Sequence, residues 1–206
     1  MQIQPRLFEE DAKGIFGKLE ARCRHCVERA ETIWNNACSA EPRLRKAARP
    51  RGRNSLFNEI VADVAREEFA GDAEVDICEC YGTLRLHLGE EYDLGFKKVD
   101  HRGRHSNYPT KRQRDYDKQM QLFGDPLPDA IRLHIGIEWN RAGTEVIDVS
   151  LVYPYRGTKL WGYSLRPDDG QGVAAIQLPK PQTPPAPAKF RSKKVKEDKL
   201  GKKPAQ

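Results

Sequence analysis

Apolar residues recur at steps of three and four between positions 8 and 38: Ile15, Phe16, Leu19, Cys23, Cys26, Val27, Ala30, Ile33, Trp34 and Ala37. That period places them on one face of a long helix, whose first turns Gly14 and Gly17 weaken. A stripe this apolar needs something to cover it. The pattern stops at residues 41–54, where Arg43, Arg45, Lys46, Arg49, Arg51 and Arg53 alternate with Pro42, Pro50 and Gly52, which reads as a basic linker. Asn54 or Ser55 would then cap a second helix. This helix runs from about Leu56 to Phe69, with Phe57, Ile60, Val61, Val64, Ala65 and Phe69 facing inward, and Ala70-Gly71-Asp72 ends it.

From Ala73 the period changes to two, the signature of strands. Val75 and Ile77 open a first strand that extends toward Tyr81, and Leu84, Leu86 and Leu88 alternate with Thr83, Arg85 and His87 in a second. Tyr92, Leu94, Phe96 and Val99 suggest a third. After a polar stretch from Asp100 to Lys118, Ile131 to Trp139 forms the strongest strand pattern, with Leu133, Ile135 and Ile137 set against Arg132, His134 and Glu138. Residues 140–144 read as a hairpin connection, followed by strands over residues 146–152 and 159–165.

Helices followed by meandering strands predict an α+β fold: two N-terminal helices packed on an antiparallel sheet of five or six strands. The expected organisation is an amphipathic helix over residues 1–40, a basic linker over 41–54, a helix-plus-sheet domain over 55–166, and a disordered Pro- and Lys-rich tail over 167–206. The proline-dense run from Pro179 to Pro187 is unsuited to a helix or a central strand.

Charge changes the picture of the tail. The net charge is +6, but residues 179–206 hold nine basic residues against two acidic ones, a net of +7, which leaves 27 against 28 in residues 1–178, a net of −1. The basic end suits either nonspecific DNA contact or simple solubility. No apolar run is long enough to span a membrane, and Met1-Gln2-Ile3-Gln4-Pro5 has no apolar stretch of secretory-signal type. Five cysteines, an odd number, argue against a disulfide framework. A cytoplasmic protein without membrane attachment is expected.

Candidate chemistry is sparse. Cys23-Arg24-His25-Cys26 has the first half of a zinc-ligand spacing and no second Cys/His pair at a matching interval. Cys23 and Cys26 fall on the apolar stripe, where buried cysteine packs as a small hydrophobe, and Cys38, Cys78 and Cys80 are read the same way. Asp76, Glu79, Glu91, Asp93, Lys97 and Lys98 crowd neighbouring strands as a metal-dependent nuclease would require, but Gly95 and Phe96 stand where its acidic residue should precede the lysine. His101, His105 and His134 have no nucleophile partner in a recognisable motif. The expectation is no catalytic residue, no metal site and no cofactor. A metal-dependent nuclease-type toxin and a DNA-binding phage or mobile-element accessory protein stand as the alternatives.

The most specific feature is Gln119-Met120-Gln121-Leu122-Phe123, followed by the turn signal Gly124-Asp125-Pro126. It resembles the peptide by which bacterial replication and repair proteins dock on the DNA polymerase III sliding clamp. In such a peptide the apolar side chains anchor in a pocket and the glutamine hydrogen-bonds at its rim, so that a few buried anchors carry most of the energy. The same residues have a plainer reading. Tyr116, Met120 and Phe123 lie at helical spacing and would form the buried face of one short helix on this protein's own core.

On a small non-enzymatic scaffold, the peptide resembles that of the SocB-type toxins, replication inhibitors of a bacterial toxin–antitoxin pair. The resemblance rests on Gln119, Met120, Leu122 and Phe123. It implies that the protein occupies the clamp's peptide pocket at replication forks, competes with clamp clients and blocks DNA replication. It also implies an antitoxin that acts as an adaptor, delivering the toxin to an ATP-dependent protease.

Overall fold

In this computed structural model the described residues are 5–80, 82–104, 110–120, 127, 129–156 and 158–167, without the side chains of Cys80 and Arg112. The described residues belong to one compact unit. The predicted tail lies outside the described residues.

Helix α1 runs unbroken from Glu9 to Ala40. Glu9, Glu10 and Asp11 sit in its first turn, where they complement the helix dipole. Its buried stripe contains Phe16, Leu19, Cys23, Cys26, Val27, Ala30, Trp34 and Cys38. Ile15 and Ile33, expected on that stripe, are exposed because the larger Phe16 and Trp34 beside them hold the centre of the face.

The linker over residues 41–54 is largely helical, which corrects the sequence reading. Helix α2 spans Pro42–Ala47 and helix α3 spans Pro50–Glu68, each with proline in its first turn. Proline ends a helix from inside but suits its first position, where no N–H is needed. Helix α3 therefore begins at Pro50 rather than at Asn54 or Ser55, and its N-cap residue is Arg49, which makes no side-chain capping bond. The inward face is as expected: Phe57, Val61, Val64 and Ala65, with Phe69 just beyond. Arg22 ties α1 to the end of α3 by ion pairs to Glu68 at 2.9 Å and to Asp72.

Six strands follow: β1 Val75–Cys80, β2 Thr83–Leu88, β3 Tyr92–Val99, β4 Ile131–Trp139, β5 Val146–Tyr155 and β6 Thr158–Ser164. They lie side by side in sequence order. The fold is α+β, with one departure from an all-antiparallel sheet: β3 and β4 run parallel, with Tyr92 opposite Ile131 and Val99 opposite Glu138. A parallel pair needs a long crossover, and residues 100–130 supply it. Alternation along a strand reveals which face is buried but not the strand's direction.

Alternation also sorts the sheet's two faces. Leu84, Leu86, Leu94, Phe96, Leu133, Ile135, Ile137, Val149, Leu151 and Tyr153 share one apolar core with α1 and α3. Phe57 meets Trp139 edge-on at 4.7 Å, and Phe16 meets Tyr92 at 5.1 Å. The opposite face carries Arg85, His87, Asp93, Lys97, Arg132 and His134, the alternate residues of β2, β3 and β4. No helix among the described residues is long and apolar enough to cross a membrane.

Candidate functional site

The crossover carries helix α4, Lys111–Asp117, onto the polar face. Thr110 caps it, its hydroxyl accepting the Gln113 N–H at 3.2 Å. The helix stops after Asp117, and Gln119 takes a left-handed conformation with φ 55°. Such a backbone costs a non-glycine residue on the order of 1 kcal/mol, so neighbouring contacts must hold it.

Two side chains fasten this unit to the strands' own backbone. The buried Tyr116 hydroxyl donates to the Leu133 carbonyl at 2.9 Å and lies 3.2 Å from that of Asp93. The Gln119 amide receives the Arg132 N–H on Oε1 at 2.8 Å and donates from Nε2 to the Arg132 carbonyl at 2.8 Å. The pairing of β4 with β5 begins at His134 opposite Val152, which sets Arg132 against Pro154. Proline has no N–H for that rung. The Gln119 amide stands in as a peptide group, with the Pro154 carbonyl 3.4 Å from its Nε2.

Beneath α4, charge and aromatic surface are packed together. The Tyr116 ring stacks on His134, with centroids 4.9 Å apart and planes 11° apart. The Arg85 guanidinium lies 4.3 Å from the Tyr116 centroid. Asp93 is 3.7 Å from Arg85 and 3.8 Å from His87, and Asp117 is 3.7 Å from His134 and accepts from Gln113 at 2.9 Å. Gly95, opposite Arg85, keeps the space open, since a Cβ there would come within 2.6 Å of Arg85 Nη1.

Burial dominates the electrostatics. It pushes the His134 pKa down to about 4 against the opposing pull of Asp117, with Arg85 and Lys97 adding to the fall, so the ring is neutral near pH 7. Burial also lowers Lys97 and raises the Tyr116 phenol. The arrangement suits holding a helix on a sheet: neutral His134 stacks without charge, and the polar ends of Tyr116 and Gln119 satisfy strand carbonyls.

No family model, curated protein or solved structure matches this chain. Its own geometry must therefore carry any functional reading.

The docking-peptide residues divide at this point. Gln119 is half-buried and engaged with β4, Met120 is 49% exposed, and Leu122 and Phe123 lie outside the described residues. The plainer reading of a single buried helical face does not fit, because α4 ends before Met120 and Met120 is exposed where Tyr116 is buried. Gln119→Ala is expected to cost about 1–3 kcal/mol in urea unfolding, because it strips partners from the Arg132 backbone.

The other candidates are spread apart. Asp76, Glu79 and Glu91 are exposed, with Glu79 paired to Arg66 at 2.6 Å, while Asp93 is buried with Arg85 and His87. No group of three or more His, Cys, Asp or Glu placed to hold a metal occurs among the described residues. Cys23, Cys26 and Cys38 are buried in α1 and Cys78 is half-buried. Burial raises the Cys23 thiol well above its usual range and Cys26 to about 12, which keeps both as unreactive thiols near neutral pH.

The cluster of Arg85, His87, Arg132, His134 and Tyr116 is not evident in the sequence, because alternation separates two strand faces without saying what covers the polar one. The available signal was that three successive strands all carry it, with Gly95 and Gly136 among the alternates.

Proposed function

We propose that the protein is a non-catalytic ligand of the bacterial DNA polymerase sliding clamp. It inserts Met120, Leu122 and Phe123 into the clamp's peptide pocket and blocks replication by excluding clamp clients. The observation that favours this reading is Met120, a large apolar side chain exposed at the point where the chain leaves a firmly held helix. Exposed anchors at the end of a rigid element lower the ordering cost of binding.

Gln119 adds a condition. Its amide reaches a clamp rim only by giving up Arg132, so binding competes with the bond to β4, and the apparent affinity falls by the fraction of molecules still latched. An adaptor antitoxin and an ATP-dependent protease belong to the same proposal, on the strength of the toxin resemblance alone.

The test is binding of the purified protein to a sliding clamp. Leu122→Ala/Phe123→Ala is expected to lower affinity more than about tenfold with an unchanged circular dichroism spectrum, because anchor residues dominate such contacts. A wild-type protein that does not bind the clamp would refute the reading.

A further inference from the structure

The molecule's charge is sharply divided. Residues 43–53 carry six basic residues and no acidic one. The rest of residues 1–178 holds 21 basic against 28 acidic residues, so a +6 corner sits on a body of net −7. The structure folds this corner as α2 and the start of α3, and leaves Arg43, Lys46, Arg49 and Arg51 exposed.

Several other surface arginines meet carboxylates: Arg22 with Glu68, Arg29 with Glu67, Arg66 with Glu79 and Arg104 with Asp100. Among the described residues, Arg43, Lys46, Arg49 and Arg51 have no such ion pair, and the first turn of α3 contains no acidic residue. The positive end of the α3 dipole therefore adds to the field of Arg49 and Arg51 at that terminus.

The corner continues onto the sheet. The Lys98 ammonium lies 5.9 Å and the Arg53 guanidinium 6.0 Å from the Trp139 ring centroid, and Lys98 donates to Asn54 at 3.3 Å. Burial and then the Arg53 charge make it harder for Lys98 to stay protonated. Two cations held around one ring repel each other, and an arriving anion relieves that repulsion.

We propose that this corner is a docking surface for the phosphate backbone of double-stranded DNA. The observations favour that partner over others. Five of the six basic residues are arginine, whose planar fork matches phosphate oxygens two at a time. A membrane surface calls for an apolar face to insert, but Leu44 and Ala48 are packed against the core. Single strands call for exposed aromatic rings on which bases stack, and Phe57 and Trp139 are buried. The contact reads charge and not sequence.

The proposal is independent of the clamp reading, and its test does not involve a clamp. The full chain is titrated with a fluorescent DNA duplex over a series of salt concentrations. One variant carries Arg43→Gln, Arg49→Gln and Arg51→Gln; another carries Lys193→Gln, Lys194→Gln and Lys196→Gln in the basic tail. Loss of three phosphate contacts is expected to flatten the dependence of log K on log salt by about 2–3. The corner variant should therefore bind at least about tenfold more weakly at low salt, with wild-type circular dichroism. Should it misfold, Arg43→Gln/Lys46→Gln, which changes two exposed residues of α2, is expected to flatten the slope by about 1–2. Wild-type affinity and slope in a folded corner variant, with loss confined to the tail variant, would overturn the proposal. Tighter corner-dependent binding to duplex RNA or to anionic phospholipid vesicles than to DNA would overturn it too.

Discussion

Tyr116→Ala is expected to destabilise the protein by about 3–5 kcal/mol, the range for truncating a large buried aromatic residue. The ring is 1% exposed and is sandwiched by polar groups rather than by aliphatic ones. Its removal takes away the stacking surface of His134, the face on which Arg85 rests and the hydroxyl that serves the Leu133 carbonyl. Arg85 and His134 are then left lining a cavity, which raises the cost of their burial. Tyr116→Phe separates these contributions: it keeps the ring contacts and loses one hydrogen bond, for an expected cost of about 1 kcal/mol. Urea denaturation of both variants checks the pair. Near-equal losses would mean that the hydroxyl, not the stack, fastens α4.

Acid should weaken the fold through His134 before it reaches the Asp72 carboxylate. His134 has a pKa of about 4 in the fold, against an ordinary value of 6.5 in the unfolded chain. Between those values the unfolded chain binds more protons, so stability rises with pH. The contribution is fully present above about pH 6.5 and declines as pH falls toward 4, for a total loss of about 3 kcal/mol. Asp72, whose carboxyl Arg22 holds below its usual value, gives way only at still lower pH. Urea midpoints at pH 7.5 and 4.5 measure the effect. In a His134→Gln variant the fall across this window should largely vanish, whatever the variant's absolute stability. An unchanged pH slope would mean that His134 does not drive the decline.

Much of the fold was legible in the sequence. The two long helices and all six strands follow from steps of three and four, and then from strict alternation around Leu86, Leu94 and Ile135. The helical character of residues 42–53 was hidden by Pro42 and Pro50, which interrupt a helix or begin one depending on where the preceding helix stops. The parallel seam was hidden because strand direction depends on the crossover over residues 100–130, whose course the alternation along β3 and β4 does not record. The candidate site was legible only in part. Gln119 stood out as one end of a docking peptide, but its bond to β4 depends on Pro154, 35 positions away, leaving a rung open. Nothing local to Gln119 records that vacancy. Likewise, the alternation of Arg132 and His134 with Leu133 and Ile135 does not record their burial, because Tyr116 covers them from another element.

The parallel seam also bears on how the chain folds. Strands β1 to β3 form one meander and β4 to β6 another, each built from neighbours in sequence. Only β3 and β4 must find each other across residues 100–130. Closing that loop costs chain entropy before any contact repays it, so the docking of the two meanders is expected to be the slow step of folding. Because α4 lies within the loop being closed, it reaches its place with the seam, and Gln119 finds Arg132 only then. A ribosome releasing the chain at the end of β3 would expose one three-stranded half whose β3 edge waits for a partner. In that interval the bare strand edge is the surface most open to pairing with another chain.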